Sequence, residues 1–262
     1  KEIRIFSRDE LKQEQMRQRL NHSKIKFYIG DIRDRDSVDD AMTGVDYVFH
    51  AAALKQVPSC EFFPMQATQT NVIGSQNVIS SAIQNGVAKV VSLSTDKAVY
   101  PVNALGITKA LMEKIVQSVS RNILKGQTLL TLVRYGNVLF SRGSVIPLFM
   151  KQIREKKPLT VTEPTMTRFL LPLPEAIQLV GFALEQGQQG DIFVRKASSC
   201  MVGDIAKALK NIFHSKSEIK IIGMRHGEKM HETLVSKDEL VRSEDMGDYL
   251  RAKMDGRDLN YE

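Results

Sequence analysis

Four polar residues and a later lysine carry the groups in this chain that are best suited to chemistry. Ser94, Thr95, Asp96 and Lys97 directly follow an apolar, strand-like run, and Lys109 comes about one helix start later. In an open α/β sheet ligands bind at the carboxyl ends of strands, so hydroxyls, a carboxylate and an amine at this point indicate a catalytic site. Serine, threonine and aspartate also cap helices, and a capped strand-to-helix turn is the alternative interpretation.

The elements that would position these groups alternate regularly through the first half of the chain. Short β-branched runs are followed by amphipathic segments, and the runs are apolar on both faces. This pattern is typical of a parallel, doubly wound (Rossmann-type) α/β sheet. The predicted strands are residues 3–6, 25–29, 47–49, 87–93 and 129–133, and the predicted helices are residues 10–20, 37–42, 65–84 and 105–120.

Beyond about residue 141 the alternation loosens and prolines interrupt the chain. We therefore predict a nucleotide-binding domain over residues 1–140. Residues 141–262 are predicted to form a smaller, mainly substrate-binding lobe, interleaved with the last strands of the sheet. In this second half the predicted helices are residues 175–184 and 202–213, and the predicted strands are residues 191–194 and 220–222.

Charge and composition narrow the possible partners. The 262 residues carry a net charge of +7, but there is no basic run, and 6% aromatic residues do not suggest a base-stacking platform. An anionic small molecule such as a nucleotide diphosphate explains the excess cations, and we expect no nucleic-acid partner. No apolar run approaches about 18–20 residues, so membrane insertion is not expected. Cys60 and Cys200 suggest neither a disulfide nor a metal site, which favours a reducing, cytoplasmic setting.

A glycine-rich turn is the expected opening of a dinucleotide-binding sheet, because its backbone amides approach the pyrophosphate. The sequence contains no GxxGxxG turn and begins at what reads as the second strand of such a sheet. We therefore expect that one βα unit, about 25–30 residues, is missing before the first residue of this sequence.

The residues after the first strand bear on cofactor choice. Ser7 and Arg8 offer a hydroxyl and a guanidinium fork, which suit the 2′-phosphate of NADP better than the ribose hydroxyl of NAD. The alternative is that Ser7 is an N-cap and Arg8 a solvated first-turn residue. We predict NADP as the cofactor, with NAD the less favoured choice.

Several motifs in a fixed order give the chain a family resemblance. They are the 94–97 and Lys109 pattern, HAAALKQVP at 50–58, RYGNVLFSRGSVIPLF at 134–149, TEPTMTRF at 162–169, RHGEK at 225–229 and MDGRDLNY at 254–261. Together these motifs resemble the extended short-chain dehydrogenase/reductase superfamily. More narrowly, they resemble its inverting UDP-N-acetylglucosamine 4,6-dehydratases of capsule and flagellin-sugar biosynthesis. The likeness covers essentially the whole chain.

The resemblance implies a three-step reaction and assigns its residues. Hydride leaves carbon 4, water is eliminated across carbons 5 and 6, and hydride returns to carbon 6, with inversion at carbon 5. Lys109 matches the superfamily lysine, but Leu105 stands where the superfamily tyrosine stands, and related capsule enzymes carry methionine there. By resemblance Asp96 is the acid and Lys97 the base, with Thr95 beside them. We hypothesise that Lys97, with its pKa lowered by nearby Lys109, replaces the tyrosine, and Tyr100 is the rival.

The remaining site predictions join small or polar loop residues to these catalytic positions. No metal is expected, since His226 lacks a second ligand at suitable spacing. The predicted cofactor-binding residues are Ser7, Arg8, Asp31, Ile32, Ala51, Ala52, Ala53, Lys55, Asn71, Ser94, Lys109, Tyr135 and Asn137. The predicted substrate-binding residues are Lys55, Thr95, Asp96, Lys97, Asn137, Ser144, Val145, Arg168, Arg225, Glu228 and Arg257.

Two other functions fit the same sequence. A nucleotide-sugar 4-epimerase shares the fold and the transient hydride, but it needs no acid and base at carbons 6 and 5. A non-catalytic nucleotide-binding homologue would fit Leu105 and the absent glycine turn. Related enzymes pair through the helices that correspond to residues 65–84 and 105–120, so we expect a homo-oligomer, for which a hexamer is one candidate.

Overall fold

The central sheet takes its strands from both halves of the chain. In the computed structural model, which describes residues 1–124 and 126–257, the strands are β1 (Ile3–Ser7), β2 (Ile25–Ile29), β3 (Tyr47–His50), β4 (Lys89–Leu93), β5 (Leu129–Arg134), β6 (Asn137–Val138), β7 (Leu159–Val161), β8 (Thr167–Leu171), β9 (Ile192–Arg195), β10 (Ser199–Met201), β11 (Ile219–Ile221), β12 (Ser243–Met246) and β13 (Tyr249–Ala252). The helices are α1 (Glu10–Leu20), α2 (Arg35–Met42), α3 (Val57–Phe62), α4 (Pro64–Thr68), α5 (Gly74–Gln84), α6 (Ala104–Asn122), α7 (Val145–Arg154), α8 (Leu173–Gln186), α9 (Val202–Ile212) and α10 (Lys237–Val241).

The pairing of the strands confirms the predicted α/β class. The main sheet has the order β12-β13-β9-β5-β4-β3, in which β3, β4, β5 and β9 run parallel and β12 and β13 are antiparallel. β1 and β2 form a separate parallel pair, and the described pairing contains no hydrogen bonds between β1 and β3. The polar residues that follow β4 therefore emerge between two parallel neighbours.

Burial on both faces explains the uninterrupted apolar strands. Val90 and Leu130 lie in one core cluster with residues of α5 and α6, whereas Val91 and Val133 pack on the other face with residues of α8. Such strands lack the alternation of a half-exposed sheet, because neither face meets water.

Helix bounds differ from the prediction mainly in one place. The predicted helix over residues 65–84 is divided into α4, a π-helical turn (Gln69–Ile73) and α5. The π turn brings Asn71 inward, and its side chain bonds the backbone of Leu54. Helical periodicity did not predict this widened turn.

The second half contributes a smaller lobe as well as strands of the main sheet. Strands β6, β8 and β10 form one small sheet, and β7 pairs with β11. Phe149, Leu159 and Met166 are fully buried between these strands and helices α7 and α9. The sequence did not predict α3, α10 or the short strands β6, β7, β8, β10, β12 and β13. None of the described helices is long and apolar enough to cross a membrane.

Candidate functional site

A cleft of about 580 Å³ lies beyond the carboxyl ends of β3, β4 and β5. Ala51 and Ala53 line it after β3, Thr95 lines it after β4, and Tyr135 lines it after β5. The smaller lobe supplies the opposite wall through α7 and the 225–232 loop. This is the position at which open parallel sheets bind ligands, because side chains from neighbouring strands converge there.

The turn after β4 holds a carboxylate and an ammonium in contact. Residues Asp96–Ala98 form a 3₁₀ turn, and the Thr95 Oγ1 hydroxyl donates to Asp96 Oδ1 at 2.9 Å. Lys97 Nζ donates to the same oxygen at 3.0 Å and lies 3.2 Å from Glu232 Oε1. Lys97 lines the cleft, whereas Asp96 is fully buried behind it and is outside the set of described lining residues.

The protonation state of Lys97 is opposite to our expectation. Burial lowers the pKa of Lys97, but the carboxylates of Asp96 and Glu232 outweigh that effect, and the pKa is raised. The expected neighbour, Lys109, does not figure among the charges that act on it. The prediction of a lysine with a lowered pKa at position 97 was therefore wrong, because two carboxylates face its ammonium. The two carboxylates therefore favour the charged ammonium form of Lys97.

Lys109 is the lysine whose pKa falls. It lies in α6, which begins after Asn103, whose side chain caps the helix by accepting from Gly106 N at 2.8 Å. Lys109 is buried, lines the cleft and donates to Met112 Sδ at 3.0 Å. Desolvation lowers the pKa of Lys109 to about 8, although Glu113 opposes the shift. Since this amine forms no ion pair with a carboxylate among the described residues, it is suited to polar ligand groups.

Leu105 and Tyr100, the two positions connected with the absent tyrosine, have different environments. Leu105 is buried with Cys60 and Ala67 and also contributes to the cleft wall. Tyr100 is 52% exposed, its hydroxyl accepts from Lys237 N at 3.1 Å, and it is not among the described lining residues. The structure thus argues against Tyr100 as a catalytic rival, because its phenol is directed to the α10 segment.

Most predicted site residues do line the cleft. Three of them, Ser94, Asn137 and Ser144, present buried oxygens that find no hydrogen-bond partner within the described residues. Burial also raises the pKa of Tyr135 to about 12 and lowers the pKa of Lys55. The predicted residues brought together are Ala51, Ala53, Lys55, Ser94, Thr95, Lys97, Lys109, Tyr135, Asn137, Ser144, Val145, Arg168, Arg225 and Glu228.

Two predicted cofactor-binding side chains have structural roles. Asn71 is fully buried; its amide bonds the backbone of Leu54 and donates to Thr108 Oγ1 at 3.1 Å. Ile32 packs in the main core, against Gly74. Neither side chain is directed to a ligand in this structure, since that of Asn71 is occupied by protein partners and that of Ile32 is enclosed by core residues.

The residues predicted for the adenosine side bond mainly to one another. Ser7 Oγ accepts from Asp9 N, and Asp9 rather than Ser7 caps α1. Arg8 donates to Asp31 Oδ2 at 3.3 Å, and Arg33 holds the pKa of Asp31 at about 2. These residues, like Ala52, are not among the described lining residues.

At the other end of the chain, Arg257 pairs with Asp255 at 2.6 Å, also away from the described cleft lining. The last four residues of the 254–261 motif lie outside the described residues.

Two glutamates that the sequence did not predict, Glu232 in the smaller lobe and Glu61 in α3, make contacts at or beside the cleft. Glu232 is buried, lines the cleft and contacts Lys97. Glu61 accepts from Ala104 N at 2.6 Å and pairs with His226 at 2.8 Å, joining the 225–232 loop to the start of α6. A glutamate in a loop carries no sequence signal that separates it from a solvated one. Only the fold shows these contacts.

Arg168 also differs from its expected role. Rather than an anionic partner, its guanidinium donates to the carbonyl oxygens of Thr167 and Lys229, at 2.8 and 3.0 Å. It lines the cleft and holds the loop that precedes Glu232.

Comparison with known proteins decides the family. A family model described as "Polysaccharide biosynthesis protein" matches residues 1–254. The chain belongs to this family. It is 61% identical over 261 residues to a Rickettsia typhi protein named UDP-glucose 4-epimerase, covering 100% of this chain and 76% of that protein. This name agrees with the alternative activity and not with the dehydratase that the motifs imply.

Solved structures agree on the fold. Pen from Bacillus thuringiensis has a TM-score of 0.95 and 38% identity, with 98% of this chain and 82% of that chain covered. DesIV from Streptomyces venezuelae, a dTDP-glucose 4,6-dehydratase determined with NAD, has a TM-score of 0.82 at 19% identity, with 90% of this chain and 80% of that chain covered. The DesIV likeness shows a shared Rossmann-type fold. The Pen likeness extends through both lobes.

Proposed function

We propose that this protein oxidises carbon 4 of a UDP-linked hexose with a nicotinamide dinucleotide. The chemistry that the dinucleotide supplies when bound is reversible hydride transfer. Three features of the described residues fit such a group: Lys109 is a buried cation with no carboxylate ion pair, Ala51 and Ala53 leave room at the sheet edge, and Ser94 Oγ is an unpartnered oxygen. Lys109 would hold ribose hydroxyls, and the alanines would permit close approach.

Of the two nicotinamide dinucleotides, we propose that the cofactor is NADP. Arg8 keeps about half of its side chain exposed beside Asp31, so its guanidinium is accessible to a 2′-phosphate. Replacement of Arg8 by alanine should weaken NADP binding about tenfold and leave NAD binding nearly unchanged, as measured by isothermal titration. Equal loss for both dinucleotides would remove Arg8 from this role.

The specific reaction that we propose is 4,6-dehydration of UDP-N-acetylglucosamine with inversion at carbon 5. The single observation that carries it is the Asp96–Lys97 contact at 3.0 Å, with Lys97 facing the cleft. Elimination breaks the carbon 5–hydrogen and carbon 6–oxygen bonds, so one proton must be accepted and another donated. The pair provides one carboxylate and one ammonium. We assign donation to Lys97, whose ammonium would give a proton to the carbon 6 oxygen as the carbon 6–oxygen bond breaks and water leaves. The free amine formed in this way would accept the carbon 5 proton, which restores the ammonium. Asp96, first expected to be the acid, is buried behind Lys97 and would hold it by a hydrogen bond.

The second candidate is UDP-glucose 4-epimerisation. The 61% identity to relatives of that name favours it. Epimerisation returns hydride to carbon 4 and needs no acid at carbon 6, so under this hypothesis Lys97 would act only on the carbon 4 oxygen or the substrate phosphates.

Product analysis separates the two reactions. The purified protein is incubated with NADP or NAD and with UDP-N-acetylglucosamine or UDP-glucose, and products are identified by mass spectrometry and NMR. Dehydration gives a 4-keto-6-deoxy product that has lost one water, whereas epimerisation gives an isomer of unchanged mass. We expect the first from UDP-N-acetylglucosamine, and Lys97→Met should abolish it. An isomer alone would refute dehydration, and no turnover would favour the non-catalytic alternative.

We also propose that residues 1–140 bind the dinucleotide and that residues 141–262 mainly bind the sugar nucleotide. We further propose that the enzyme works as a cytoplasmic homo-oligomer, for which a hexamer is one candidate. The exposed apolar residues Ile107 and Leu111 on α6 support association of helices. Light scattering after size exclusion tests it, and a monomer at working concentration would refute it.

A further inference from the structure

Glu232 is the second carboxylate that faces Lys97. Its side chain is only 2% exposed, its Oε1 lies 3.2 Å from Lys97 Nζ, and the residue lines the cleft. Its other oxygen, Oε2, finds no hydrogen-bond partner within the described residues and lies 3.6 Å from Lys229 Nζ. A buried carboxylate is costly unless it is paired, and the ammonium of Lys97 is the partner that compensates the burial of Glu232.

The loop that carries Glu232 is fixed to the start of β8. Thr167 N donates to Met230 O at 3.0 Å, and Thr167 Oγ1 bonds His231 Nδ1 at 2.9 Å. Arg168 donates to Lys229 O at 3.0 Å, and Lys229 Nζ donates to Val99 O at 2.9 Å. These contacts bring a residue from the smaller lobe to the turn after β4, more than 130 residues earlier in the chain.

The two carboxylates approach Lys97 from different elements. Asp96 is its neighbour on the same turn, and Glu232 belongs to the opposite wall. Arg168 is the facing positive charge, and it disfavours the ammonium. Asp96 fixes Lys97 to its own turn, whereas a partner across the cleft can direct the amine toward the space where a sugar would lie. Asp96 alone would leave the amine free to turn with its own loop.

We propose that Glu232 is a positioning residue that holds Lys97 charged and directed into the cleft. The role depends on the proposed function, since Lys97 is the proton donor of that reaction. Glu232 acts through Lys97, by its charge and by the contact across the two lobes.

The test measures Lys97 itself, independently of turnover. Competitive acetylation of the purified protein over a pH series, read by mass spectrometry of the Lys97 peptide, gives the pKa and reactivity of that amine. Loss of an opposite charge at this distance shifts a pKa by about 1–3 units, so Glu232→Gln should lower the Lys97 pKa by at least about one unit. Glu228→Gln removes the same charge from the same loop. The Glu228 carboxylate accepts from Arg225 N and, among the described residues, forms no ion pair with Lys97, so this variant should leave the Lys97 pKa unchanged.

Glu232→Asp keeps the carboxylate on a shorter side chain and serves if the glutamine variant does not fold. The Lys97 pKa and the activity of Glu232→Asp should both lie between those of the wild type and those of Glu232→Gln. In the active enzyme, the alkaline limb of the kcat profile should move to lower pH in Glu232→Gln, in step with the acetylation result. An unchanged Lys97 pKa in Glu232→Gln, or in Glu232→Asp where only that variant folds, overturns the proposal. If Glu232→Gln lowers the Lys97 pKa as expected but the wild-type protein yields no dehydrated product, the proposed reaction fails and the positioning role of Glu232 stands.

Discussion

Replacement of Lys109 by methionine should stabilise the nucleotide-free protein while it abolishes activity. Lys109 is 4% exposed, and desolvation lowers its pKa from 10.5 to about 8. At about 1.4 kcal/mol per pKa unit, keeping this amine charged costs the folded state on the order of 3 kcal/mol. Methionine fills a similar volume without charge, so little repacking is needed.

The sign of the pH dependence follows from the same shift. The pKa of Lys109 in the folded protein lies below its unfolded value, so the unfolded chain binds more protons between about pH 8 and pH 10.5. The contribution of Lys109 to stability therefore rises with pH through that window. The methionine variant lacks this contribution, and its advantage over the wild type should shrink as pH rises from about 7 to about 9.5.

Urea denaturation of the nucleotide-free protein at both pH values measures the difference. Lys114 is exposed on the same helix, and Lys114→Met is a matched control in which both effects should be small. A Lys109→Met variant that is less stable than the wild type at neutral pH, or a stability gap that does not change with pH, would refute the reasoning.

Three further substitutions test other parts of the structure. Arg134 is buried and bonds both Glu113 and Glu239, at 2.7 and 2.8 Å, so Arg134→Met leaves two carboxylates unpaired and should cost about 3–5 kcal/mol in urea denaturation; a loss below about 1 kcal/mol would contradict this. Leu105→Tyr places a larger, aromatic side chain beside Cys60 and Ala67 and should destabilise the protein by about 1–3 kcal/mol without raising kcat. A gain in kcat would show that a phenol at this position can still take part in the reaction. Glu61→Gln weakens the bonds to Ala104 N and His226, and it should raise KM for the sugar nucleotide about fivefold with little change in kcat, whereas a drop in kcat alone would exclude a role in binding.

β4 and β5 were predictable because they are buried on both faces, whereas β1, β2 and β3 are partly exposed. Residues 87–93 and 129–133 are mostly apolar runs, and they form β4 and β5 with small changes in bounds. The second half was harder, because β6, β7 and β10 have only two or three residues, too few for a period to show. The structure places β12 and β13 in the main sheet, where their partners are remote in sequence and depend on tertiary pairing.

The candidate site was predictable where its residues are neighbours in the sequence. Thr95, Asp96 and Lys97 share one turn, so their proximity follows from sequence alone. Glu232 belongs to the same cluster through tertiary contacts, and a sequence without an alignment gives no sign of it. The error in the Lys97 pKa had this cause, since one of the two carboxylates that raise it was unknown.

Lys97 and Lys109 together show how one cleft can hold two buried amines with opposite properties. Both are desolvated, but only Lys97 has carboxylates within about 3 Å, and its charged form is the one that the protein stabilises. Lys109 has only the sulfur of Met112 and a more distant Glu113, so its charge is costly until a ligand supplies hydrogen-bond acceptors. Ligand binding should therefore be coupled to protonation of Lys109 and not of Lys97. Proton uptake on dinucleotide binding, measured by titration calorimetry in buffers of different ionisation enthalpy near pH 8, should disappear in Lys109→Met and persist in Lys97→Met. Uptake that survives the loss of Lys109 would mean that the two amines do not divide these roles.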